Sequence, residues 1–361
     1  MGALLVVAAV AVLGFGGATT NAALSPAVVE RIVNYSESDR EQWLYRCAQR
    51  EGRVVVYTSA SHARPSLKPA FEAKFPGITV DVFRATDTLV PRLIEEEAAG
   101  RHNFDVYDDL YGNLAPTDKH FVKFYSPRRS ELQPALNNPY FVAARGFVMS
   151  IGYNPTIVRA NDAPKEWKEL LDSKWKGQIF GSADASAPVM LALLKWKFGL
   201  DFLRKLAQNA RFQQGVSSRG VADLIIAGEV PVGYNVSSSY HKSDYLNRGA
   251  PFRWQPMNPM LGYFSTQSIS KFAPHPCAAA LYIDWLLDRN GGQAIEAGEG
   301  RASPFKGASL LPFQLEGFDQ AKIRDWVVFI TDPRLIQGFK SFEDALNYWN
   351  SLFRSIFLGR G

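Results

Sequence analysis

Apolar and polar positions sort into clear elements between Glu51 and Phe83. Arg53-Val54-Val55-Val56-Tyr57 is a β-branched run that predicts a buried strand. The small polar loop from Thr58 to His62 follows, and Pro65 stands where a helix can begin. Leu67, Ala70, Phe71 and Phe75 recur at helical spacing and give that helix one apolar face. Pro76-Gly77 stops it, and Ile78 to Val82 alternates as a second strand. Strand, helix and strand in this compass make a βαβ unit with a right-handed crossover. Ligands of open α/β sheets bind beyond the carboxyl ends of the strands, so the 58–62 loop faces whatever the protein holds.

The same patterns continue in both directions. Residues 24–50 predict a short helix, a turn and a second helix leading into the first strand. LVPRLIEEEAAG reads as a capped helix, and Asn103 to Tyr107 as a third strand with Asp108, Asp109, Leu110 and Tyr111 at its end. Phe147 to Tyr153 is a strand that crosses to a second α/β unit. That unit comprises a tryptophan-bearing helix after Pro164, a strand at 178–180, helices over 188–200 and 200–209, and a strand over 229–235. Gly262 to Ser270 alternates as the return crossing, Pro276 opens a helix at a favoured first-turn position, and closing helices fill 318–357. Two lobes facing each other across a cleft is the architecture this order predicts, and 361 residues also exceed one ordinary core.

Composition narrows the function classes. The net charge of +5 is dispersed, so no nucleic-acid-binding stripe is expected. LLVVAAVAVLGFGG (residues 4–17) followed by Thr19-Thr20-Asn21-Ala22-Ala23 looks like a secretory signal peptide occupying 1–23, although no lysine or arginine precedes the apolar run. No later apolar run is long enough to span a bilayer, so an exported, soluble mature protein is expected. Cys47 and Cys277 can bridge or remain separate thiols, since nothing in the sequence fixes their distance.

Four polar clusters fall at strand ends. Ser59, Ser61 and His62 can hold an anion, or the serines can bond their own backbone. Asp108, Asp109 and Tyr111 can bind a metal or a substrate, or cap the next helix. Ser182, Asp184 and Ser186 have the look of a helix N-cap whose N–H groups can also serve an anion, with Asp184 opposing it. Ser237, Ser238, Ser239 and Tyr240 are hard to explain as core and read as a ligand site at a strand end, or else as a solvated loop. Thr86, just past the second strand, completes the ligand-binding candidates, and His241 faces either the site or solvent. Enzyme motifs are missing: there is no Gly-x-Ser-x-Gly, His-Glu-x-x-His, Walker loop, Gly-x-Gly-x-x-Gly or Cys-x-x-Cys.

EGRVVVYTSAS, FEAKFPGITVDV, LVPRLIEEEAAGR, FDVYDD, PKEWKELLDSKWKGQI, LIIAGEVPVGYN and SISKFAPHPCAAALYIDWLL resemble, in order, the family 1 extracellular solute-binding proteins. The ferric-iron-binding periplasmic branch is the most similar. The resemblance implies an α/β type II periplasmic-binding-protein fold, with two lobes joined by a two-strand hinge. Residues 24–130 and 262–317 would form lobe 1, and 131–261 and 318–361 lobe 2. It also implies a monomeric periplasmic protein without enzymatic activity or required cofactor, serving the permease and ATPase of an ABC importer. Because the helix after Pro276 then returns to the lobe of Cys47, a Cys47–Cys277 disulfide is expected.

For the ligand the resemblance implies iron(III), whose hard character wants anionic oxygen donors. The family pattern sets a histidine after the first strand, a glutamate after the third and two adjacent tyrosines after the Gly-Glu strand. Here His62 lies one residue out of step, Leu110 stands between Asp109 and Tyr111, and Ser238-Ser239 precede a single Tyr240. An iron site would therefore use His62, Asp109 and Tyr240, with a bound anion completing it. The alternative is a small organic or phosphorylated anion held by the serine loops and helix N-termini; a secreted enzyme on the same fold is a third reading.

Overall fold

The computed structural model describes residues 24–85, 88–109, 117–330 and 332–359. The expected signal peptide, Thr86 and Tyr111 lie outside the described residues. Eleven strands among those described form one sheet. They are β1 (Arg53–Thr58), β2 (Thr79–Arg84), β3 (Val106–Asp109), β4 (Asn137–Asn138), β5 (Phe141–Tyr153), β6 (Ile179–Gly181), β7 (Ala210–Phe212), β8 (Val232–Ser237), β9 (Arg253–Gln255), β10 (Met260–Ile269) and β11 (Val327–Phe329).

The order is β2-β1-β3-β10-β5-β8-β6-β7, with β11 on β10 and both β4 and β9 on β5. β1 runs parallel to β2 and β3, and β6 parallel to β7 and β8. Between these wings the long β5 and β10 pair antiparallel, one carrying the chain across and the other bringing it back. This is the two-strand hinge of a type II periplasmic-binding fold. β5 is buried at every position except the half-buried Phe147, as a strand covered on both faces must be.

Each wing has its own apolar core. Val54, Val56, Phe71, Ile269 and Leu281 belong to one, and Met149, Trp167, Leu193, Trp349 and Phe353 to the other. Cys47, in the helix Arg40–Glu51, is bonded to Cys277, in the helix Pro276–Leu286, with 5.8 Å between Cα atoms. Glu51 reinforces this junction by accepting the N–H groups of Cys277 (3.1 Å) and Ala278 (2.8 Å) at the second helix's N-terminus. Burial pushes the Glu51 carboxyl up to about 7 despite those two donors.

Some boundaries differ from expectation for identifiable reasons. The third strand begins at Val106, not Asn103, because the Asp105 carboxylate takes the Val55 N–H (2.7 Å) that a strand carbonyl would otherwise accept. The helix expected after Pro164 is instead two short 3₁₀ turns, Trp167–Leu171 and Ser173–Trp175, with the Trp167 indole N–H fixed on the Pro259 carbonyl at 2.7 Å. The strand expected over 229–235 starts after Pro231, which has no N–H to offer a ladder, and runs on to Ser237. β11, absent from the expected all-helical C-terminal region, fits beside Gly262, where an added Cβ would meet Val327 at 2.4 Å.

Replacing both Cys47 and Cys277 with alanine should cost roughly 2–5 kcal/mol, since the bridge closes a very long loop. Chemical denaturation of the double variant under non-reducing conditions measures this, and an unchanged midpoint would contradict it.

Candidate ligand-binding site

Strand ends and following loops from both wings meet around a pocket of about 690 Å³, mouth included. Ser59, Ala60 and Ser61 enter it after β1, Arg84 and Asp109 from the ends of β2 and β3, and Phe147, Tyr263 and Ser265 from the hinge strands. Asp184, Ala185 and Ser186 come from the loop after β6, while Ser217, Ser218, Arg219, Ser237, Tyr240 and Arg301 close the far side. All four expected clusters contribute, but not every member reaches the pocket.

Period-two geometry separates the aspartates, because neighbouring strand residues point to opposite faces. Asp109 lines the pocket and accepts the Ser59 hydroxyl at 2.9 Å. Asp108 is buried below, accepting from Thr58 (2.7 Å), Arg145 (2.6 Å), Ser265 (3.0 Å) and Gln267 (2.5 Å). That carboxylate is saturated by protein donors and does not line the pocket.

His62 is not a pocket residue either. Its ring is 4% exposed, and Nε2 lies 2.9 Å from Glu296 Oε2. The His62, Asp109 and Tyr240 set expected for iron is therefore not assembled on one surface. Ser182, Ser238 and Ser239 are also buried outside the lining: Ser182 accepts the Asn235 amide at 2.8 Å, and Ser239 pairs with Ser237 at 2.8 Å.

Asp184 does more than cap one helix. Its Oδ1 accepts the Ser186 N–H (3.1 Å) and hydroxyl (2.6 Å), and its Oδ2 accepts the Ser218 N–H at 2.7 Å. The N-termini of two helices, Ala187–Phe198 and Ser218–Ile226, are thus served by one internal carboxylate. Helix N–H groups that were expected to serve an external anion are already engaged by it. Burial holds its carboxyl above the ordinary carboxylate range, although the Ser186 and Ser218 donors pull it down.

Positive charge is what the sequence reading missed. Arg219 lies over the Tyr240 ring at 4.7 Å and is ion-paired with Asp244 and Asp223. Arg301 is 5% exposed, sits 4.5 Å from the Phe147 ring centroid and 5.8 Å from that of Tyr240, and donates to Ser239 Oγ at 2.5 Å. Among the described residues no carboxylate forms an ion pair with Arg301, although Glu296 favours its charge from farther away, and its Nε has no hydrogen-bond partner. Burial pulls this guanidinium below its usual value. Ser217, whose hydroxyl caps a helix by accepting the Gly220 N–H, was not singled out, and Arg301 carries no local signal.

His241 faces neither the pocket nor solvent. Its ring is buried on Phe313 and its Nδ1 accepts the Trp254 N–H at 3.3 Å. Burial, with Arg253 nearby, pushes the imidazole down to about 4.

A family model for bacterial extracellular solute-binding proteins matches residues 112–323. The chain belongs to that family. Its members bind solutes and are not enzymes. Similar solved structures include the substrate-binding protein of an ABC transporter from Agrobacterium tumefaciens, 15% identical, TM-score 0.68, covering 84% of this chain and 94% of that one. The periplasmic binding protein AfuA from Actinobacillus pleuropneumoniae, with exogenous fructose-6-phosphate bound, is 19% identical, TM-score 0.66, covering 85% and 99%. Iron-bound HitA from Pseudomonas aeruginosa is 17% identical, TM-score 0.61, covering 84% and 99%. These likenesses establish the fold. No curated protein sequence matches the chain.

Buried, neutral His241 makes this solute-binding protein sensitive to acid. Its folded value lies below the ordinary 6.5, so stability is intact above about 6.5 and falls as pH drops toward about 4. At about 1.4 kcal/mol per pH unit, the loss attributable to His241 is at most about 3–4 kcal/mol. Unfolding free energies between those limits should fall less steeply in His241→Gln than in the parent, and parallel slopes would contradict the assignment.

Proposed function

We propose that this solute-binding protein is the periplasmic component of an ATP-driven importer, delivering to a membrane permease a small organic anion captured between its lobes. Residues 24–130 with 262–317 and residues 131–261 with 318–361 would be those lobes, exported by the signal peptide at 1–23. The ABC-transporter protein of Agrobacterium tumefaciens, which shares the fold, supports the importer role.

The observation that carries the ligand class is Arg301. A guanidinium buried without a carboxylate partner costs several kcal/mol unless something compensates it, and an anionic solute in the adjoining pocket does so. Ser59, Ser61, Ser237 and Tyr240 supply orienting hydroxyls on the same lining. Fructose-6-phosphate in AfuA is an anion of the kind proposed.

Iron(III) fits less well. The lining offers Asp109 and Tyr240 but not His62, and a trivalent cation would stand among Arg84, Arg219 and Arg301. Iron-bound HitA keeps that ligand as the competing outcome of the test.

Ligand-stripped protein should be titrated with fructose 6-phosphate, glycerol 3-phosphate and ferric citrate, using tryptophan fluorescence and visible absorbance. A saturable response to the organic phosphates is expected, weakened in Arg301→Gln by about 2 kcal/mol or more, a thirty-fold loss. A coloured ferric complex abolished in Tyr240→Phe, with no response to organic anions, would establish iron instead.

A further inference from the structure

Charge is distributed unevenly around the pocket. Arg301 is its buried cation without a carboxylate partner, whereas Arg219 is neutralised by Asp223 and Asp244. On the same lining stand two carboxylates, Asp109 and Asp184. Asp184 occupies the position where converging helix N-termini would otherwise attract an external anion. Its partners, the Ser186 N–H and hydroxyl and the Ser218 N–H, are all donors and favour the ionised carboxylate against the burial that pushes its value up. A second negative group placed against it would meet like charge in a partly desolvated site.

We propose that Asp184 determines specificity: the pocket accepts a solute with one anionic end, set against Arg301, and rejects a solute with a second anionic group at its other end. This rests on the reading of the site as an anion-capturing pocket. The end away from Arg301 then carries a hydrogen-bond donor, a hydroxyl or an ammonium, which a carboxylate lining accepts. The protein fills its own helix-terminal anion position and so leaves Arg301 as the one buried place for negative charge, the lining's remaining cation, Arg84, being exposed at the end of β2. Discrimination comes from repulsion of the wrong solute as much as from attraction of the right one.

Glycerol 3-phosphate and 3-phosphoglycerate test this directly, because they share the phosphoester end and differ by a hydroxymethyl or a carboxylate at the other. Calorimetric titration of the wild-type protein should show glycerol 3-phosphate favoured by about thirty-fold or more, about 2 kcal/mol. In Asp184→Asn the ratio should narrow to about five-fold or less, through tighter binding of 3-phosphoglycerate. Equal or tighter binding of 3-phosphoglycerate by the wild-type protein overturns the role of Asp184 and leaves the anion reading standing. An unchanged ratio in a folded Asp184→Asn variant overturns it too. If Asp184→Asn fails to fold, Asp109→Asn decides: a ratio kept in that variant supports Asp184, and a ratio lost in it overturns the role of Asp184. Binding of neither probe, with none of the organic phosphates giving a response, overturns both readings together.

Discussion

The guanidinium of Arg145 is the constraint around which the rest of the structure is arranged. It is fully buried on β5, 2.6 Å from Asp108 on β3 and 3.8 Å from Glu296 on the helix Gly292–Gly298. Asp108 in turn holds Thr58 of β1 and Ser265 and Gln267 of β10, and Glu296 holds His62. Burial alone would lower the Arg145 value, but Asp108 and Glu296 outweigh it and hold the group above its ordinary range. Such a network adds little net stability over an apolar replacement, yet removing one partner costs about 3–5 kcal/mol. Its contribution is therefore positional. The β5–β10 ladder shifts register between Ser265 and Thr266, opposite this arginine, and Ser265 both donates to Asp108 and lines the pocket.

From that floor upward, most of the polar groups are satisfied within the protein. Ser237 bonds Ser239, Ser182 and Ser186 accept the Asn235 amide, and Asp184 gathers the N–H groups at two helix starts. An abundance of serines at strand ends is thus accounted for largely by the geometry of those ends, and hydroxyl counting says little about ligand. Charge says more. Once the internal pairs are assigned, the buried guanidinium of Arg301 is left facing the pocket without an ionic partner.

The sheet was legible because its signals are local: β-branched runs, helical spacing after Pro65 and Pro276, and breaks at Pro76-Gly77 and Gly291-Gly292. Boundaries slipped where one side chain or one proline intervened, as at Asp105, Trp167 and Pro231. The loops expected at strand ends do meet around the pocket, but residues within a loop were not separated. Asp108 and Asp109 are indistinguishable in sequence and have opposite fates, one in the floor and one in the lining. Arg145 could have been flagged, because a charge inside the apolar run FVAARGFVMS demands a buried partner. Arg301 could not, since its surroundings come from Phe147, Ser239 and Tyr240, far away in the chain.

The departures from the ferric-binding pattern fit together physically. Where that pattern sets paired tyrosines, this chain has Ser238-Ser239, and the Ser239 hydroxyl accepts the Arg301 guanidinium. Space there is already tight: a Cβ on Gly300 would meet the Ser239 carbonyl at 2.8 Å and the Lys242 Cβ at 2.7 Å. A bulky phenol in place of Ser239 would compete with Arg301 for this volume, so the small hydroxyl and the buried cation belong together. His62, the residue nearest the pattern's histidine, is turned away to Glu296. A ferric carrier receives positive charge from its cargo and supplies anionic oxygens around it. Here the protein contributes the buried positive charge at Arg301, and under the proposed reading the negative charge that balances it arrives with the solute.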